Sequence, residues 1–115
     1  MAITEAYTLS AVTVGTGELS VVSGTTTLSN VTDDGVYQLW LDAATMAKGD
    51  EFKIRCYEKV KAAGTKRVFA DWSIRNAQSQ NFLTPTVILL HGWDFTIQKI
   101  VGTDRAFDAS IRKVA

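Results

Sequence analysis

The sequence predicts a single all-β domain, an antiparallel β-sandwich or jelly-roll of about eight strands with one short helical turn. Three observations predict it. Apolar and polar residues alternate with period two through most of the chain, as in strands that bury one face. Turn signals built on Gly, Asn and Asp recur roughly every 8–12 residues. The length, 115 residues, suits one domain with a single core, and 46% hydrophobic with 21% charged residues is an ordinary globular composition. The domain is expected to span 1–115, with residues 1–10 as an extended N-terminal arm.

The first 32 residues hold eight threonines among Ser, Gly and Val. β-branched residues with glycine punctuation suit short strands, expected at Tyr7–Val14, Leu19–Val22 and Thr25–Val31, with turns at Gly15-Thr16-Gly17 and Ser23-Gly24. Asp33-Asp34-Gly35 is a further turn. It launches Val36–Leu41, with Tyr37, Leu39 and Leu41 opposite Val36, Gln38 and Trp40. Asp42–Lys48 has an acidic cap, helix formers, a terminal lysine and then Gly49, which predicts one helical turn.

Glu51–Lys61 is the most amphipathic strand. Phe52, Ile54, Cys56, Glu58 and Val60 share one face, and Lys53, Arg55, Tyr57, Lys59 and Lys61 the other. After Ala63-Gly64-Thr65 the chain returns through Arg67–Asn76, with Val68, Ala70, Trp72 and Ile74 inward and Arg67, Phe69, Asp71, Ser73 and Arg75 outward. Phe82–Leu90 is an eighth strand that Pro85 places at an edge or bulge. The final segment reads as a β-hairpin. Trp93, Phe95 and Ile97 lie on one face and Asp94, Thr96 and Gln98 on the other, Gly102-Thr103-Asp104 turns, and Phe107, Ala109 and Ile111 return inward. The expected core is Leu39, Phe52, Ile54, Cys56, Trp72, Ile74, Trp93, Phe95, Ile97, Phe107 and Ile111.

Little in the sequence points to catalysis. His91 is the only histidine and adjoins a bend, where a structural role is expected. Cys56, the only cysteine, falls on an inward face and reads as a small hydrophobe. There is no Cys/His ligand spacing, P-loop, dinucleotide fingerprint or nucleophile elbow. No cofactor and no metal is therefore expected. The Asp33-Asp34 and Asp50-Glu51 pairs beside glycine are ordinary turn chemistry as much as candidate Ca²⁺ ligands. The start carries no basic and apolar leader pattern, and no apolar run approaches the ~20 residues of a membrane helix.

The net charge is zero but unevenly placed. Residues 1–47 hold five acids and no base, whereas residues 48–115 hold all twelve bases and seven acids. Either the two halves present oppositely charged surfaces to a partner, or they intermingle within one sandwich. The candidate partner-binding face is Lys53, Arg55, Tyr57, Lys59, Lys61, Arg67, Phe69 and Arg75, which interleaves bases with aromatics. Such a face suits either a solvated strand surface or protein contact, where Arg and aromatics dominate. Zero net charge argues against a dedicated nucleic-acid binder. Of three tryptophans only Trp40 points away from the expected core and is free to stack on a sugar.

Gly92-Trp-Asp-Phe-Thr-Ile-Gln-Lys-Ile-Val-Gly-Thr-Asp-Arg-Ala-Phe-Asp-Ala-Ser-Ile-Arg112 resembles the closing segment of small virion structural proteins of tailed bacteriophages. There, an alternating strand is followed by Gly-Thr-x-Arg-x-Phe and a short final strand with a basic end. Trp40-Leu-Asp-Ala-Ala-Thr-Met-Ala-Lys-Gly-Asp50 is similar to their strand, helical turn, Gly-Asp, strand passage. The likeness covers Val36–Lys61 and Gly92–Val114. It implies a virion component, best matched by head decoration (cement) proteins, with the major capsid protein as partner and a homo-dimer or homo-trimer as its state. A tail or baseplate component and a carbohydrate-binding module are the alternatives.

Overall fold

Alternating apolar residues drive each strand to bury one face, and two sheets closing on each other satisfy all of them at once. The computed structural model describes residues 2–114 and has this arrangement. Its strands are β1 (Ile3–Val14), β2 (Leu19–Ser20), β3 (Gly35–Asp42), β4 (Glu51–Glu58), β5 (Arg67–Arg75), β6 (Phe82–Leu83), β7 (Val87–Leu89), β8 (Asp94–Val101) and β9 (Arg105–Val114). The first sheet runs β1-β9-β3-β6, with β7 also paired to β3; the second runs β2-β8-β4-β5. All pairings are antiparallel.

Tyr37, Leu39 and Leu41 of β3 and Phe107, Ala109 and Ile111 of β9 enter the core from the first sheet. Phe52, Ile54 and Cys56 of β4 and Phe95 and Ile97 of β8 enter from the second. Trp93 is fully buried just before β8. Its ring centroid lies 4.4 Å from Tyr37, 5.9 Å from Phe95 and 6.1 Å from Tyr7. Phe52 and Phe107 meet edge to face at 4.8 Å elsewhere in the core. Ile74 is buried as well, whereas Trp72 is half-buried and packs on Phe82 at 6.0 Å. Burial pushes the Cys56 thiol far above its usual range, so it stays protonated.

The structure corrects the expected closing hairpin. β8 and β9 do not pair: β8 lies between β2 and β4, and β9 between β1 and β3. The Gly102-Thr103-Asp104 connection is an arch joining the interior strands of opposite sheets. Alternation reports which face of a strand is buried, and that is the same for a hairpin and for two strands facing each other across a core. Asp50 holds the arch. Its Oδ1 accepts from Thr103 N at 3.1 Å, and its Oδ2 accepts from Arg105 Nε at 2.7 Å and from Ala47 N at 2.9 Å. Gly102 passes over this carboxylate with φ of 106°, where a Cβ would stand 2.2 Å from Asp50 Oδ1. The β4–β5 hairpin, by contrast, forms as expected.

Other expectations fail for local reasons. Thr25–Val31 forms no strand, because its side chains take over the backbone: Ser23 Oγ binds Thr25 N and Thr27 O, and Thr25 Oγ1 binds Thr27 N. Only Val31 keeps a bridge, to Trp93, and the expected Leu19–Val22 strand shortens to Leu19–Ser20. Asp42–Gly49 is not helical. Asp42 caps Ala44 N, and two successive turns close with Met46 N on Ala43 O and Asp50 N on Ala47 O. β4 ends at Glu58, leaving Val60 97% exposed rather than inward. Between the pairs Cys56↔Ala70 and Tyr57↔Val68, Phe69 is an extra residue. This bulge reverses the phase of β5 and turns Val68 outward. The expected Phe82–Leu90 strand splits at Pro85, where Thr84 exchanges bonds with both Leu39 N and Leu39 O. Residues 3–10 are no free arm but part of β1, paired along β9.

Candidate interaction surfaces

β4 and β5 carry the expected basic face on the outside of the second sheet, but the fold neutralises much of it. Arg55 Nη1 lies 3.5 Å from Glu18 and donates to Gln98 Oε1 at 2.7 Å. Tyr57 donates its hydroxyl to Glu18 at 2.6 Å, and burial followed by that carboxylate pushes the phenol up to about 12. Thr96 also donates to Glu18. Lys66 donates to Ser29 O at 2.7 Å and lies 5.8 Å from the Tyr57 ring centroid. Arg75 pairs with Glu51 at 3.3 Å. Lys53 and Lys59 are half-buried, so the exposed members are Lys61, Arg67, Phe69 and Arg75, on β5 and the turn before it.

The acids of the first half therefore serve the bases of the second: Glu18 with Arg55, and Asp33 with Lys113 at 3.0 Å. At these two pairs the uneven charge along the chain is intermingled in space. Asp94, on the outward phase of β8, is wholly buried. Its carboxylate accepts from Ser20 Oγ at 2.8 Å and Ser29 N at 2.9 Å, which pins the threonine-rich loop over β8. Desolvation raises its pKa. No local pattern around Asp94 announces this role.

The outer face of the first sheet presents a different surface. Gln38 lies opposite Arg112 and Trp40 opposite Ser110, so β3 and β9 build one continuous platform. The Arg112 guanidinium stacks 4.2 Å from the Trp40 ring centroid. Trp40 Nε1 donates to Gln38 Oε1 at 3.0 Å, and Gln38 Nε2 donates to Thr84 O at 2.7 Å, which fixes the indole. A depression of about 260 Å³ on one side is lined by Ile3, Gln38, Thr86 and Val114 together with Trp40 and Arg112. One of about 130 Å³ on the other side is lined by Asp42, Asn81, Asp108 and Ser110 with the same pair. Leu83, opposite Trp40, is 45% exposed, and Ile88, opposite Val36, is 81% exposed. Asp42 and Asp108 face each other across the strands, each accepting a backbone N–H, from Ala44 and Ala11.

The alternation places Gln38 and Trp40 together on an outward face, but their meeting with Arg112 depends on a β3–β9 register that no local signal encodes. Among the described residues, no group of three or more His, Cys, Asp or Glu side chains is placed to hold a metal. Among the described residues, too, no helix is long and apolar enough to cross a membrane. No model of a known protein family matches the chain, and no curated protein matches it.

Proposed function

We propose that this chain is a virion structural protein, specifically a capsid decoration (cement) protein that docks through the outer face of its first sheet. The observation that carries docking is the Trp40–Arg112 stack, an anchored aromatic and a guanidinium at the centre of a sheet face bearing the exposed aliphatics Leu83 and Ile88. Trp and Arg are the residues that most often dominate binding energy. The virion assignment rests on the likeness of Trp40–Asp50 and Gly92–Arg112 to phage structural proteins. These two segments meet at Asp50, which holds Thr103 and Arg105. The shared pattern is then a framework lock, not a reactive site. A cement protein acts by mass action: it binds the assembled shell and not its dissociated parts, and so stabilises assembly.

The test is the copy number of the chain in purified particles from its source. A number comparable to the major capsid protein supports cementing, a far smaller number assigns it to the tail or baseplate, and absence rejects a virion role. Trp40→Ala and Arg112→Ala should abolish shell binding while the domain stays folded. One observation favours a second reading, carbohydrate binding: Asp42, Asn81 and Asp108 surround the Trp40 edge as hydroxyl-binding groups would. Binding of soluble glycans, lost in Trp40→Ala, would favour it over docking.

A further inference from the structure

We infer that β5 is a self-association edge, through which a second copy of this chain adds its own β5 antiparallel to form one eight-stranded sheet across two sandwiches. The four sheet edges differ in how they are protected. β1 carries two register shifts and a left-handed Ala11 with φ of 49°. β2 has two residues. β6 and β7 have two and three residues, separated by Pro85. These are the usual devices that keep an edge from pairing. β5 is nine residues long and has no proline. Its only irregularity is the bulge at Phe69, so Ala70–Arg75 offers a regular unpaired ladder, with Phe69 50% and Val68 40% exposed beside it.

Charge selects the register. Asp71 and Arg75 are both exposed and share one face of β5 beyond the bulge, whereas Arg67 lies before the bulge on the other phase. A two-fold axis at Asp71 would set Asp71 against Asp71, which like-charge repulsion disfavours. An axis at Ser73 sets Asp71 against Arg75 of the second copy twice, Trp72 against Ile74, and Ser73 against Ser73. An axis at Phe69 pairs Arg67 with Asp71, but it runs the ladder through the bulge. The Ser73 axis is therefore the one the strand fits. It is isologous, as a closed dimer requires. This pairing does not depend on what the Trp40 face binds.

The test is sedimentation of the whole chain with two cysteine variants and a charge pair. The expected mass is that of a dimer. Under mild oxidation Ser73→Cys should form a covalent dimer, because its partner is itself, whereas Phe69→Cys should not; Cys56 is buried and stays out of the reaction. Asp71→Arg should give a folded monomer by circular dichroism at a concentration where the parent is dimeric, and Asp71→Arg with Arg75→Asp should restore the dimer. A monomeric parent, a dimer indifferent to Asp71→Arg, or cross-linking through Phe69→Cys instead of Ser73→Cys overturns the inference. So does a β5 edge that pairs only with a different protein.

Discussion

Gly102→Ala and Gly49→Ala form a matched pair that tests the arch between β8 and β9. Both glycines have left-handed φ, 106° and 94°, so alanine at either position meets a backbone penalty of roughly 1–3 kcal/mol. They differ in what surrounds them. A Cβ at Gly49 meets nothing within 4 Å, whereas one at Gly102 stands 2.2 Å from Asp50 Oδ1 and 2.8 Å from Asp50 Cα. The Cα belongs to backbone that cannot swing aside as a side chain can, since Asp50 N binds Ala47 O and Asp50 O accepts from Asn76 N. Forcing a methyl into such a site costs roughly 1–3 kcal/mol more. At about 4 °C per kcal/mol for a domain of this size, Gly102→Ala should melt about 4–12 °C below Gly49→Ala. Tryptophan fluorescence reports the transition, because Trp93 sits between Tyr37 and Phe95. Equal melting temperatures would refute the arch: in a simple hairpin, residue 102 would face solvent and the two alanines would cost the same.

Three further outcomes are expected. Trp93→Ala removes a fully buried indole and should destabilise by about 3–5 kcal/mol, with Trp93→Phe intermediate because ring contacts with Tyr37 survive; a Trp93→Ala melt matching the parent would contradict its core position. The backbone N–H of Ala47, then Arg105 and Thr103, hold the Asp50 carboxyl down at about 2, below the ~3.9 of an unfolded Asp. The stabilisation is thus complete above about pH 4 and lost as pH falls from there towards about 2. Thermal melts across that window should slope less in Asp50→Asn than in the parent, and identical slopes would remove Asp50 as a source of the acid sensitivity. Arg55→Glu sets a carboxylate beside Glu18, which also accepts from Tyr57 and Thr96, and should lower the melting temperature where Lys61→Glu, on an exposed turn, does not. Equal melts would show that Arg55 is as free as a solvated lysine.

The candidate surfaces were only half legible in the chain. Alternation assigned Lys53, Arg55 and Tyr57 to an outward face, but the acid that occupies two of them, Glu18, lies 39 positions from Tyr57. Trp40 was visible as an outward aromatic. Its partner Arg112 reaches it only because β9 returns beside β3 in a particular register.

What the sequence determined by itself is the fold class and the sidedness of its strands. A period of two places Leu39, Phe52, Ile54, Phe95, Ile97, Phe107 and Ile111 inward whatever their neighbours, because a side chain's face depends only on its own strand. What the tertiary structure decided is which strands are neighbours. Asp50 turns an apparent hairpin into an arch, one extra residue at Phe69 reverses the end of β5, and Ser23 with Thr25 withdraws a strand-like segment from either sheet. In the first two cases a hydrogen bond or a register outweighs a local pattern and exists only once separate parts of the chain have come together; in the third, side-chain bonds two to four residues apart compete with the ladder.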